Sequence, residues 1–206
     1  MIDLTNIRNI ILDLGGVILE LDVDRTVREF SALGFPRMEN IETVLSKYDF
    51  FNDFETGIIS TEEFISKFME VPDNQVSREN VLNAWNAMIR GFRSDNIKLL
   101  QDLRKNYRLF LLSNTNAIHE ILYNNQLKED HGIDNLDRIF DKVYYSHDLK
   151  MRKPDPEIFR YVLDDQQFSP EECLFVDDTL MHVESARSVG IRAYHLAPPE
   201  RITDVL

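Results

Sequence analysis

Apolar and polar positions fall into blocks whose period changes along the chain. Arg8 to Leu12 ends in the continuous apolar run Ile10-Ile11-Leu12, the pattern of a strand covered on both faces, and stops at Asp13-Leu14-Gly15-Gly16. From about Val23 to about Gly91 the spacing is helical, with Tyr48, Phe51 and Phe54, then Phe64, Ile65 and Phe68, then Val81, Leu82, Trp85, Met88 and Ile89, and no strong strand. Ser60 followed by Glu63 has the form of a capping box, which starts a helix after the Glu55-Thr56-Gly57 turn. Trp85, Met88 and Phe92 are spaced for one helix face and read as the core of this stretch.

Beyond Gly91 the pattern alternates between helix and strand. Ile97, Leu99, Leu100 and Leu103 predict a helix, and Arg108 to Leu112 a buried strand ending at Ser113-Asn114. Val143 to Ser146 is a weaker strand, followed by Lys150, Arg152 and Lys153 before Pro154. Ser169-Pro170-Glu171-Glu172 predicts about one helical turn before the strand Leu174-Phe175-Val176, which ends in Asp177-Asp178. A helix over Val183 to Val189 closes at Gly190, and Arg192 to His195 is the last predicted strand. This order implies an α/β fold, a doubly wound parallel sheet built from residues 1–18 and 92–206, with residues 19–91 inserted as a small helical domain.

Composition narrows the class. A chain of 206 residues buries a core without staples, and its one cysteine, Cys173, beside Leu174-Phe175-Val176, reads as a buried strand residue. Acidic residues outnumber basic ones 36 to 23, a net charge of −13, which opposes the grip on phosphate backbones that nucleic-acid binding needs. The first apolar run is interrupted by Asp13 and too short to span a bilayer, and no cleavage pattern follows it, so the expected compartment is the cytoplasm, with no membrane partner.

The candidate chemistry lies at strand ends. In an open parallel sheet the carboxyl ends of the strands share one edge, which brings together Asp13, Ser113-Asn114, a loop lysine and Asp177-Asp178. Clustered carboxylates with oxygen-bearing neighbours suit Mg²⁺, and a hydroxyl, an amide and an ammonium suit phosphate oxygens. Asp13 is then placed to attack phosphorus and form an aspartyl-phosphate. His119, His131, His147 and His195 have no metal-ligand spacing and are assigned to surface or satisfied core positions, and Arg152 with Lys150 to a solvated basic loop.

In this order the residues resemble the haloacid dehalogenase superfamily of phosphohydrolases. The matching positions are Asp13, Ser113, Lys153 and the pair Asp177-Asp178, and Lys153-Pro154-Asp155-Pro156-Glu157-Ile158-Phe159 is similar to the family's K-P-x-P-x-x-F loop. Phe54-Glu55-Thr56-Gly57 is similar to a recurrent segment of the family's small helical cap. The resemblance implies Asp13 as nucleophile, Asp13, the Gly15 carbonyl and Asp178 as Mg²⁺ ligands, and Asp177 acting through water or behind the ligands. It implies Ser113 and Asn114 on the phosphoryl group, with Lys153 bridging phosphate and Asp13, and a small phosphorylated metabolite as substrate.

Two positions depart from the family pattern. Gly15 stands where the family carries a proton-transferring aspartate, although some members of the resembling sugar-phosphate branch also read D-L-G; the candidates to stand in for it are Glu20, Asp22 and Asp24, close in sequence, and water. His182 replaces a common asparagine, toward the Asp13 loop or as a cap of the following helix. The expected activity is Mg²⁺-dependent hydrolysis of a small phosphate monoester, such as a sugar phosphate. The alternatives are a weak or silent member that binds a phosphometabolite or a protein, and a 2-haloacid dehalogenase, which needs no metal and which the acidic pair argues against.

Overall fold

The computed structural model describes residues 1–35, 48–71 and 75–206, so parts of the predicted helical stretch at 36–47 and 72–74 lie outside the described residues. Strand β1 (Asn9–Leu12) is followed by β2 (Leu19–Leu21), helices α1 (Val23–Ala32), α2 (Phe50–Glu55), α3 (Thr61–Met69) and α4 (Arg78–Asn86), and strand β3 (Ile89–Phe92). Then come α5 (Ser94–Leu103), β4 (Arg108–Ser113), α6 (Ala117–His131), β5 (Lys142–Tyr145), α7 (Ser146–Leu149), α8 (Pro156–Gln166), β6 (Cys173–Asp177), α9 (Leu180–Ser188), β7 (Arg192–His195) and α10 (Ile202–Val205).

Five strands form a parallel sheet in the order β5-β4-β1-β6-β7. The chain builds outward from β1 on one side, then returns to its other side with β6, so the carboxyl end of β1 sits where the winding reverses. Strand residues alternate between two cores. Ile10, Leu12, Leu109, Leu111, Leu174 and Val176 pack with residues of α5, α6 and α10, while Ile11, Phe110, Leu112 and Phe175 pack with residues of α8 and α9. Burial on both faces explains why these strands read as continuous apolar runs.

The helices between β2 and β3 have an aromatic core of their own, where Phe30, Phe51, Phe54, Phe64, Phe68 and Trp85 pack together. Ser60 Oγ accepts from Glu63 N at 3.2 Å while Glu63 accepts from Ser60 N at 2.8 Å, so the capping box forms as its spacing predicts. The helical face does not run on to Phe92. Met88 and Phe92 pack in the core of the sheet, and Ile89–Phe92 pairs antiparallel with Leu19–Leu21. These strands of three and four residues are too short for period 2 to show. The sequence pattern also does not mark helices α6 and α8; α6 buries only Ile118, His119, Tyr123 and Leu127 of its fifteen residues, too sparse a stripe to stand out.

Candidate active site

Asp13 follows β1 directly, and its N–H continues the ladder to Val176 O at 2.9 Å, which fixes its side chain at the sheet edge. Lys153 reaches it from the loop between α7 and α8. The ammonium is 2.6 Å from Asp13 Oδ1, 2.7 Å from Asp177 Oδ2 and 2.8 Å from Leu112 O, so its three protons have three acceptors although the side chain is only 1% exposed. Burial alone would lower the Lys153 pKa, but the two carboxylates overcome it and hold it above the ordinary lysine value. Burial pushes Asp13 up, opposed by Lys153 and reinforced by the negative Asp177.

Asp177, fully buried at the end of β6, accepts from Thr179 N at 2.8 Å and faces His182 Nδ1 at 3.0 and 3.1 Å. Burial opposes its charge, yet Lys153 and His182 together hold its carboxyl below the usual range. His182 is thereby placed on Asp177 rather than on the Asp13 loop. Asp178 has its pKa raised by burial and then by Asp177, and its Oδ2 lies 2.0 Å from where a Cβ on Gly16 would sit. Gly16 has φ +74, so close approach and backbone conformation both call for glycine. Oxygens of Asp13, Asp177 and Asp178 lie within 4.8 Å of one another, a hard-donor set that fits Mg²⁺.

Ser113 ends β4, and its Oγ is 3.5 Å from the Asn114 carbonyl, too long to commit the hydroxyl. The Asn114 carboxamide is committed: Nδ2 donates to Lys153 O and Oδ1 accepts from Lys153 N, both at 2.9 Å. Asn114 therefore clamps the loop that delivers Lys153, a role its sequence position did not reveal.

A cavity of about 190 Å³ opens beside these strand ends. Leu14, Gly15, Ser113 and Asn114 line one side, and Leu21, Trp85, Met88 and Ile89 supply apolar lining. Glu55, at the end of α2, also lines it, its Oε2 3.0 Å from Arg152 Nη2 and its carbonyl accepting from Ser146 Oγ at 2.6 Å. Arg152 also bonds Asn52, and Lys150 donates to Gly57 O at 2.6 Å, so the basic loop grips the helical insert instead of being free in solvent. Neither Glu20, Asp22 nor Asp24 lines this cavity: Glu20 pairs with Arg93 at 3.2 Å, Asp22 caps α1 and Asp24 is exposed.

The histidines occupy satisfied positions. His119 stacks on Trp85 and bonds Trp85 O through Nε2 at 3.1 Å, with Asn116 Nδ2 3.2 Å from Nδ1, and burial lowers its pKa to about 4. His131, His147 and His195 contact Phe92 O, Glu120 and Asp178 O. Cys173 is buried in β6, with its thiol pushed up to about 11 by burial.

A doubly wound parallel sheet with carboxylates and a buried lysine at its switch point defines an α/β protein whose ligand chemistry lies at the carboxyl edge of its sheet. The haloacid dehalogenase-like hydrolase profile matches residues 7–190, and the chain belongs to that family. It is 31% identical over 191 residues to the D-ribitol-5-phosphate phosphatase of Bacteroides thetaiotaomicron, covering 91% of each chain. A HAD family enzyme of the same organism, solved as an aspartate-to-alanine variant with magnesium and inorganic phosphate, superposes with a TM-score of 0.85 at 32% identity, over 94% of this chain and 96% of that one. A HAD-like hydrolase from Porphyromonas gingivalis gives 0.83 at 34%, over 94% and 93%. Among the described residues no helix is long and apolar enough to cross a membrane.

Proposed function

We propose that the protein hydrolyses a small phosphate monoester, a sugar or polyol phosphate, in a Mg²⁺-dependent reaction through an aspartyl-phosphate on Asp13. The observation that carries this reading is the Lys153 ammonium locked between Asp13 and Asp177, beside Asp178 and an uncommitted Ser113 hydroxyl. The relatives named a phosphatase, and solved with magnesium and phosphate, support it. Asp13, Asp178 and the Gly15 carbonyl would hold Mg²⁺, which when bound offsets the charge of the phosphoryl oxygens. Asp13 attacks phosphorus, and Lys153 neutralises its buried surroundings and, by releasing one of its three acceptors, meets a phosphoryl oxygen. Ser113 donates to another oxygen, and Asn114 acts on the phosphoryl site by fixing the loop of Lys153. Asp177 holds Lys153 in place from behind. Residues 19–91 act as a cap over the cavity.

Incubating the protein with Mg²⁺ and a panel of sugar and polyol phosphates, beside Asp13→Asn, tests the reading. Expected is phosphate release that disappears with the substitution; turnover that survives it rules out Asp13 as nucleophile. A second reading, binding of a phosphometabolite without turnover, is favoured by Gly15, whose missing side chain leaves Leu21 against the loop. Ligand binding with no phosphate release from any ester would establish it.

A further inference from the structure

We propose that Glu55, carried on the helical insert, is the proton-transfer group of this active site and does the work for which position 15 has no side chain. This inference rests on the phosphatase reading. A phosphate monoester whose alcohol is a poor leaving group needs a proton at its ester oxygen, and Gly15 supplies none. Leu21 packs where a Gly15 side chain would project, and none of Glu20, Asp22 and Asp24 is among the described residues that line the cavity.

Of the described residues that line the cavity, three have titratable side chains: Glu55, His119 and Tyr123. His119 has one ring nitrogen on Trp85 O and the other beside Asn116 Nδ2, and burial lowers its pKa to about 4, away from what a proton donor needs. Tyr123 is fully buried and its phenol is held far above its ordinary value by burial. Glu55 remains. Arg152 Nη2 lies 3.0 Å from its Oε2. Adjacent residues of one loop tie the two carboxylates together, Arg152 to Glu55 and Lys153 to Asp13. Burial raises the Glu55 pKa against the pull of Arg152, the direction a proton donor needs.

The chemistry balances over two steps. Asp13 bonds to phosphorus as the phosphorus–ester oxygen bond breaks; its electron pair stays on that oxygen, which takes the Glu55 proton and leaves as the alcohol. Water then attacks phosphorus, its proton passes to the Glu55 carboxylate, and the bond to Asp13 breaks, restoring the aspartate and releasing phosphate. Glu55 begins and ends protonated.

The test is leaving-group dependence. kcat/KM is measured with Mg²⁺ for 4-nitrophenyl phosphate, phenyl phosphate and D-ribitol 5-phosphate on the wild type, Glu55→Gln, Glu55→Asp and Asp13→Asn. Nitrophenolate departs without a proton, so Glu55→Gln should stay within about threefold on the first ester while losing roughly 10²–10³-fold on the others. A burst of one nitrophenolate per protein should precede slow turnover, because water activation is also lost, and Glu55→Asp should recover part of the loss. Equal losses on every ester, or none on any, overturn the proposal while leaving the phosphatase reading intact if Asp13→Asn is inert. A wild type that hydrolyses none of the esters overturns both.

Discussion

Leu21 sits against Gly15: a Cβ built on the glycine would lie 2.8 Å from Leu21 Cδ1. Gly15 is not in the left-handed region, so its backbone accepts a side chain, and the obstacle is one leucine that is 38% exposed and can turn outward. Gly15→Asp should fold with a loss of about 1–2 kcal/mol from this overpacking, and the added change Leu21→Ala should relieve it, as read by urea unfolding. Placed in the Glu55→Gln background, Gly15→Asp with Leu21→Ala should raise kcat/KM on phenyl phosphate at least about tenfold. No gain in a folded variant would show that proton transfer is not what the background lacks.

Gly16 offers no such escape. Its φ of +74 disfavours a side chain, and a Cβ would meet Asp178 Oδ2 at 2.0 Å, so the carboxylate itself would have to move. Gly16→Ala should lose about 1–3 kcal/mol of stability and weaken Mg²⁺ binding, because Asp178 is displaced from the cluster with Asp13. Titration calorimetry with Mg²⁺ checks this, and unchanged affinity would mean that Asp178 does not touch the ion.

Removing the Lys153 ammonium leaves Asp13 and Asp177 buried together without their shared cation. Lys153→Met should cost about 3–5 kcal/mol in metal-free buffer. Millimolar Mg²⁺ should raise the melting temperature of this variant more than that of the wild type, because the ion bound at Asp13 and Asp178 brings positive charge back to Asp13, one of the two carboxylates left without Lys153. Equal shifts in the two proteins would separate the cation site from Asp13.

The sheet and the strand-end residues were legible because each rests on a strong local signal. Ile10-Ile11-Leu12 and Leu109 to Leu112 are apolar on both faces, and each terminates in a polar residue that the parallel register carries to one edge. What was not legible depends on tertiary placement. Strands β2 and β3 have too few residues to show a period, and the stripe of α6 is interrupted by polar positions. Asn114 sits where a phosphate ligand is expected, but its carboxamide bonds the Lys153 backbone, a contact 39 residues away in sequence. Arg152 looked like a solvated charge because its partner Glu55 lies 97 positions earlier, in the insert. Glu55 carried one sequence signal, its place in Phe54-Glu55-Thr56-Gly57, and only folding brings it to the cavity that holds Gly15.

The turn after Glu55 is seated on α7, just before the loop of Lys153, with no slack. Gly57 has φ +61, and a Cβ there would lie 2.1 Å from His147 O, a backbone atom that cannot rotate away. Gly57→Ala must lift this turn from α7, disturbing the bonds from Lys150 to Gly57 O and from Ser146 to Glu55 O. A fall of about 10²-fold in kcat/KM on whichever phosphate ester of the panel the wild type hydrolyses is expected, as for other small displacements of an active-site wall. Hydrogen exchange should quicken at residues 50–57 while the sheet stays protected. Unchanged exchange there would show that the contact does not hold the insert.

His119 makes stability depend on pH in a stated direction. Burial lowers its folded pKa to about 4 from an unfolded value near 6.5, so between these values the unfolded chain binds a proton that the folded chain refuses. Its contribution is therefore complete above pH 6.5 and is lost as pH falls toward 4. The shift corresponds to about 3 kcal/mol at most, of which about 2 kcal/mol is gone by pH 5. His119→Gln cannot take up that proton. Whatever it loses at pH 7.5 from the bonds to Trp85 O and Asn116, its stability should fall less than that of the wild type between pH 7.5 and pH 5, in urea unfolding followed by Trp85 fluorescence. Parallel losses in the two proteins would show that the imidazole accepts a proton in place, with Trp85 O and Asn116 no barrier to its charge.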